Sequence, residues 1–225
     1  RTRIKAKTVI DVTGQIVAPG FIDPHTHSLS DLQNDKAEKR RNDNYRFQGV
    51  TTVVNGNDGF GKPSVAAIAA TLMDKGIGTN TALFVGHGGT RFEVMGNANR
   101  EPTESELARM KALVASGMEA GALGLSTGLF YAPGSFSKTG EVIALSKVAA
   151  EYGGIYDSHI RDEATYNIGL EAAIDEVLEI GREADIPVHI AHIKALGVDV
   201  WGKSVPIIKT VNAARAAGQR VAADQ

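Results

Sequence analysis

Six histidines are spread unevenly along the 225 residues. His25 and His27 form a His-x-His pair at the end of an apolar run, in PGFIDPHTH (19–27). Along a strand, residues i and i+2 project to the same side, so both imidazoles can address one cation. His159 closes a second apolar run and His192 a third. If these runs are strands of a parallel barrel, their C-terminal ends meet at one mouth, where barrel active sites lie. Singly, each histidine reads as a hydrogen-bonded structural residue. As a set with one His-x-His pair, they read as a metal site. A cation held there would acidify water and polarise a carbonyl, which is the chemistry of hydrolysis.

The elements that must position these residues follow from apolar runs bounded by turn residues. The runs are Ile16–Asp23, Thr51–Gly56, Thr81–Gly86, Ala122–Ser126, Gly154–Ser158, Pro187–His192 and Arg220–Asp224. Their centres lie roughly 30–40 residues apart, the repeat of successive βα units. Helical patterns fill the gaps. Thr103 and Glu106 form a capping box, and Leu107, Met110, Val114 and Met118 follow at helical spacing. Leu170, Ala173, Ile174, Val177 and Leu178 form a second stripe, and Val205, Ile208 and Val211 a third. Ser64–Met73, Glu141–Ala150 and the charged Asp35–Phe47 also read as helices. Strict alternation predicts an α/β fold with a parallel sheet. The expectation is a TIM-type (β/α)8 barrel over residues 19–225, incomplete at about seven of eight units, with strand 8 missing. Residues 1–18 read as the edge of a small β-sandwich domain. A doubly wound open sheet is the alternative, weakened because no Gly-x-Gly-x-x-Gly fingerprint follows the first strand.

Composition bounds the partners. Lys+Arg is 24 against Asp+Glu 26, and charged residues are 22%. That balance argues against a nucleic-acid binder, which would carry a basic stripe. No run reaches the roughly 18 apolar residues of a membrane span. The absence of cysteine excludes disulfides and thiolate ligands. The chain starts at Arg1 and stops just after a strand-like run, so it reads as a piece of a longer protein. A cytoplasmic location is expected, with a periplasmic or secreted one left open by that start.

Seven stretches in order resemble the amidohydrolase superfamily, and more narrowly the N-acyl-D-amino-acid deacylases (D-aminoacylases). They are PGFIDPHTH (19–27), GVTTVVNGNDG (49–59), GHGGTRFEVMG (86–96), GALGLSTGLFYAPG (121–134), SHIRDE (158–163), HIAHIKALG (189–197) and VAADQ (221–225). The resemblance implies one or two zinc ions at a barrel mouth. His25 and His27 would bind the more exposed position, and His159 and His192 the more buried one. The family's remaining ligand, after strand 2, is usually Cys; the matching residue here is Asp58. A carboxylate can bind or bridge metals but is harder than thiolate, which raises tolerance for Mn or Co. Asp58 can also be read as a turn cap in the Asn-Asp-Gly segment. No Lys stands in Leu125-Ser126-Thr127 at the end of strand 4, which argues against the branches bridged by a carboxylated Lys.

The resemblance also implies a reaction: hydrolysis of N-acyl-D-amino acids to a carboxylate and a free D-amino acid by metal-activated water. The acid/base Asp is expected on the missing strand 8, so no catalytic residue is assigned within the chain. Asp224 matches a strand-7 position with a supporting role. Lys194 would take the substrate α-carboxylate; otherwise it is a strand-end Lys reaching solvent. Tyr131 would flank the scissile amide or simply pack. Arg161 would touch substrate or pair with Asp162 or Glu163. Gly86–Arg91 reads as a glycine-rich mouth loop, with His87 behind the ligands. His189, of opposite strand parity to His192, is expected to face a helix. Trp201 lines the mouth or packs. Two alternatives remain: another amide or carbamate hydrolase of the superfamily, or an inactive barrel fragment.

Overall fold

A computed structural model describes residues 5–225. The chain runs β1 (Phe21–Asp23), α1 (Leu29–Leu32), α2 (Ala37–Arg40), α3 (Asp43–Arg46), β2 (Val50–Asn55), α4 (Val65–Lys75), β3 (Asn80–Leu83), β4 (Val85–Gly86), α5 (His87–Met95) and α6 (Glu104–Glu119). It continues with β5 (Gly124–Gly128), α7 (Thr139–Glu151), β6 (Ile155–His159), α8 (Leu170–Glu183), β7 (Val188–Ile190), α9 (Ser204–Ala216) and β8 (Val221–Ala223). All strand pairs are parallel, in the orders β1-β2-β3 and β4-β5-β6-β7-β8. This is an α/β fold whose sheets fit part of a barrel. Among the described residues no helix is long and apolar enough to cross a membrane.

Each predicted strand has a counterpart, with two differences. The run Thr81–Gly86 is broken at Phe84: β3 pairs back to β2, and β4 pairs forward to β5. The run Ile16–Asp23 shortens to its last three residues, and residues 5–20 contain no strand. Extended backbone needs a partner to take its hydrogen bonds, and no other segment lies in register with it. Val9, Ile10, Ile16 and Val17 are exposed. The expected β-sandwich edge is therefore not seen among the described residues, and its residues 1–4 lie outside them.

The capping box forms as read: the Thr103 side chain accepts from the Glu106 N–H, and Glu106 Oε2 accepts from the Thr103 N–H at 2.8 Å. Met110, Val114 and Met118 then pack into the core beneath the sheet. Helix α8 buries Leu170, Ala173, Ile174, Val177 and Leu178 as expected. Helix α9 does not follow its predicted stripe. It buries Ile207 and Val211, while Val205 and Ile208 stay exposed. The charged stretch 35–47 splits into α2 and α3 at Asn42, whose left-handed φ of 54° interrupts a helix. The predicted loop Gly86–Arg91 is instead the start of α5: two glycines in its first turn hid the helix from a propensity reading.

Candidate metal centre

Side chains alternate along β6, so Tyr156 and Ser158 face the helices while Asp157 and His159 face the inner side of the sheet. Tyr156 belongs to the apolar core. His159 ends its strand, as read. The other ligand candidates lie past their strands. His25 and His27 follow β1 by two and four residues, Asp58 follows β2 by three, and His192 follows β7 by two. Their convergence therefore depends on turn geometry rather than on strand parity.

Asp58 is the focus. His25 Nε2 lies 3.3 Å from its Oδ1, His27 Nε2 3.1 Å from its Oδ2, His192 Nε2 3.4 Å from Oδ1 and His159 Nδ1 3.8 Å from Oδ1. His159 Nδ1 and His192 Nε2 stand 3.0 Å apart. The ligand-type atoms form two groups that share Asp58: His25, His27, Asp58 and Asp58, His159, His192. His27 is the exposed member and His159 the buried one. A tetrahedral zinc with bonds of about 2.0–2.1 Å sets its ligand atoms about 3.3 Å apart. The observed separations bracket that edge. His25 Nε2 and Asp58 Oδ1, 3.3 Å apart, are both buried without hydrogen-bond partners. Buried polar atoms left unpaired are costly, and a cation between them satisfies both. The donor set fits one or two ions.

The backbone that delivers Asp58 is built from glycine. Asp58 has a φ of 56°, in the left-handed region that Asp tolerates better than most residues. Its turn lies against β5: a Cβ at Gly128 would overlap the Asp58 carbonyl oxygen, and one at Gly86 would overlap Gly61. The Ser126 hydroxyl donates to the Gly56 carbonyl and accepts from the Gly59 N–H at 3.2 Å. A turn forms as the capping alternative required, yet it aims the Asp58 carboxylate into the imidazoles.

Electrostatics follow the geometry. Burial alone would raise the Asp58 carboxyl, but His192 and His25 outweigh it and hold it well below the usual carboxylate range. His192, facing Asp58 and Glu163, is pushed up to about 9. Burial pushes His159 down to about 4, against the pull of Glu163 and Asp58. The carboxylates thus hold a proton on His192 that a cation would have to displace, while His159 is kept neutral, the form that binds metal.

The Amidohydrolase family matches residues 8–220. The chain is 37% identical to a D-aminoacylase from Alcaligenes xylosoxydans xylosoxydans, over 94% of its own length and 47% of that protein. It is also 37% identical to the N-acyl-D-glutamate deacylase of the same organism, over 96% of this chain and 47% of the other. The crystal structure of the N-acyl-D-glutamate deacylase from Bordetella bronchiseptica, complexed with zinc and a phosphonate inhibitor, superposes with a TM-score of 0.85. Identity there is 36%, covering 95% of this chain and 48% of that one.

The chain belongs to the amidohydrolase family. It spans about half the length of the curated relatives it matches.

In this family member the remaining predicted residues separate clearly. The Lys194 ammonium reaches the mouth, donates to Glu163 and lies 3.0 Å from His192 Nδ1. The Tyr131 ring packs on His159, with centroids 4.6 Å apart. Tyr131 also borders a cavity of about 730 Å³ together with Asp58, Phe60, Lys62, Phe92 and Pro133. Arg161 is placed differently from both sequence readings. Its guanidinium is buried and grips Glu176 of α8 through two 2.8 Å bonds, not Asp162 or Glu163. Asp162 instead caps its own loop through the N–H groups of Ala164, Asn167 and Gly169.

Further residues add to or depart from the sequence reading. Glu163 was missed: it is buried, 3.6 Å from His159 Nε2 and 3.4 Å from His192 Nδ1. Its place four residues past the His159 strand end was the available signal. His189 does not face a helix. It shares the inner face, 2.6 Å from Asp157 Oδ1 and 3.4 Å from Asp224 Oδ2. The parity argument failed because His192 has left the strand with a φ of 36°, which re-aims its side chain. His87 is fully buried on Glu141 at 2.8 Å, and Trp201 is exposed.

Proposed function

We propose that this chain is the metal-holding portion of a hydrolase that cleaves N-acyl-D-amino acids to a carboxylate and a free D-amino acid. One observation carries the reading: a buried, left-handed Asp58 ringed by four imidazoles, with the facing His25 Nε2 and Asp58 Oδ1 unpaired. The names of the relatives, a D-aminoacylase and two N-acyl-D-amino-acid deacylases, supply the substrate class. Zinc is the proposed ion, as in the Bordetella structure, and the carboxylate at position 58 favours tolerance of Mn or Co.

His25 and His27 would hold the outer cation, His159 and His192 the inner one, with Asp58 common to both. When bound, the ion supplies Lewis acidity toward the amide carbonyl and toward water. The chain's own groups do the rest of the binding. Lys194, with three donors of which Glu163 takes one, presents its ammonium to the α-carboxylate. Tyr131 walls the site beside His159 and excludes water from one side. The cavity bordered by Asp58, Phe60 and Phe92 is open to the acyl chain, and Lys194 lies outside its wall. Arg161 is left out of the substrate set, because moving it would strand the buried Glu176 carboxylate. Residues 19–225 are proposed as about seven of the eight units of a TIM-type barrel, and residues 1–18 as the approach to a small β domain.

The test is metal analysis and hydrolysis of N-acetyl-D-amino acids by the full-length protein, with His192→Ala as control. The expected result is about one or two bound ions per chain, preference for D over L substrates, and loss of both metal and activity in the variant. A native protein that hydrolyses at full rate without metal sinks the proposal.

A further inference from the structure

Asp58 and His192 each occupy left-handed backbone beyond the end of a strand, with φ of 56° and 36°. Regular sheet hydrogen bonding does not fix such positions, so something else must hold their spacing. One layer deeper on the inner face, an unbroken chain of polar contacts does this. Asn57 Nδ2 donates to the Pro24 carbonyl at 3.1 Å and to Asp157 Oδ2 at 3.3 Å. Asp157 Oδ1 faces His189 Nδ1 at 2.6 Å. His189 Nε2 lies 3.4 Å from Asp224 Oδ2, and Asp224 Oδ1 accepts the backbone N–H of His192.

Each end of this chain touches a ligand segment. Pro24 precedes His25, Asn57 precedes Asp58, Asp157 stands two residues before His159 on the same face, and Asp224 holds the His192 main chain directly. Asn57 and Asp157 are fully buried, so losing a partner leaves an unpaired group where water does not reach. His189 is the one member that touches both Asp157 and Asp224.

We infer that Asn57, Asp157, His189 and Asp224 form a positioning belt beneath the cation site. His189 is its central link, coupling the His25–Asp58 side to the His159–His192 side. The inference rests on the proposed metal site and adds residues that never touch the ion. It makes His189 and Asp224 determinants of metal affinity as well as of stability.

The experiment is a zinc titration against a chromogenic chelator, using the full-length protein stripped of metal. Melting of the metal-free protein is followed alongside. His189→Leu should weaken zinc binding by about 10–100-fold, the range seen when groups supporting metal ligands are lost. Asp224→Ala should do likewise. Asp224→Asn, which keeps an oxygen to accept the His192 N–H, should recover most of the loss. Zinc affinity in His189→Leu within about threefold of the parent overturns the belt, since supporting groups ordinarily cost more. So does a lower melting temperature with unchanged zinc affinity. If His189→Leu does not fold, Asp224→Ala decides, and parental affinity in that variant overturns the belt. A parent protein that binds no zinc overturns the metal reading itself, a result distinct from unchanged affinity in the variants.

Discussion

Two of the buried groups of histidine and carboxylate in this molecule behave differently. Around Asp58, four imidazoles crowd one carboxylate, and several ligand atoms have no hydrogen-bond partner. Around Glu141, one imidazole and one guanidinium share a carboxylate. His87 Nε2 takes Oε1 and Arg91 takes Oε2, while Arg91 also reaches the Ala98 and Arg100 carbonyls. His87 keeps one ring nitrogen unpaired, yet among the described residues no second ligand-type group gathers around it. Burial and a His–carboxylate contact are common to both places. What separates them is the ratio of imidazole to carboxylate: an excess of imidazole calls for a cation, whereas Arg91 already supplies one to Glu141.

The largest expected effect breaks the first group. Asp58→Ala removes the ligand shared by both sets, and zinc content should fall below about a tenth of an ion per chain in elemental analysis. Retention of parental zinc in that variant would show that the imidazoles alone suffice. The second group should break in the opposite way. Glu141→Ala leaves the Arg91 charge buried and unpaired, at a cost of about 3–5 kcal/mol in denaturant unfolding. Zinc stoichiometry should not change, and a loss of zinc there would merge the two regions into one system.

Smaller changes sharpen the contrast. Lys194→Met should raise KM for N-acyl-D-amino acids about tenfold or more, because a charge-assisted bond to the carboxylate is lost. Zinc affinity and turnover of an amide lacking the α-carboxylate should hold. Asp58→Cys should keep zinc and shift preference away from manganese in competition assays, since thiolate is the softer ligand. The smallest effect lies outside both regions. Thr103→Ala should cost about 1 kcal/mol through the lost cap of α6. Its partner Glu106 is held down to about 2 by Arg100 and by the Thr103 N–H, from an ordinary 4.5. A depressed carboxylate stabilises above its unfolded value and ceases to do so as pH falls through the folded one. The Glu106 contacts should therefore weaken between about pH 4.5 and 2, read as a melting shift that Glu106→Gln, which does not titrate there, abolishes.

The sequence carried the strands well because each is an apolar run closed by turn residues, and the four histidines at run ends are brought together around Asp58. Resemblance brought in Asp58. The rest depended on backbone angles that no spacing rule encodes. His189 was sent to the wrong face because strand parity was extended through His192, which has already turned to positive φ. Glu163 escaped notice because Arg161 offered it a nearer partner in sequence, while the fold gave Arg161 to Glu176, fifteen residues on. Helix α5 was hidden by Gly88 and Gly89, which pack closely against the 59–62 segment of the Asp58 turn, and their lack of side chains reads as loop.

The glycine packing around that turn bears on substitution. The main chain at 56–61 is set by what Gly86 and Gly128 lack, so neighbouring strands fix the spot where residue 58 emerges, while its φ of 56° favours a residue such as Asp there. Substitution at Gly128 would move the spot itself.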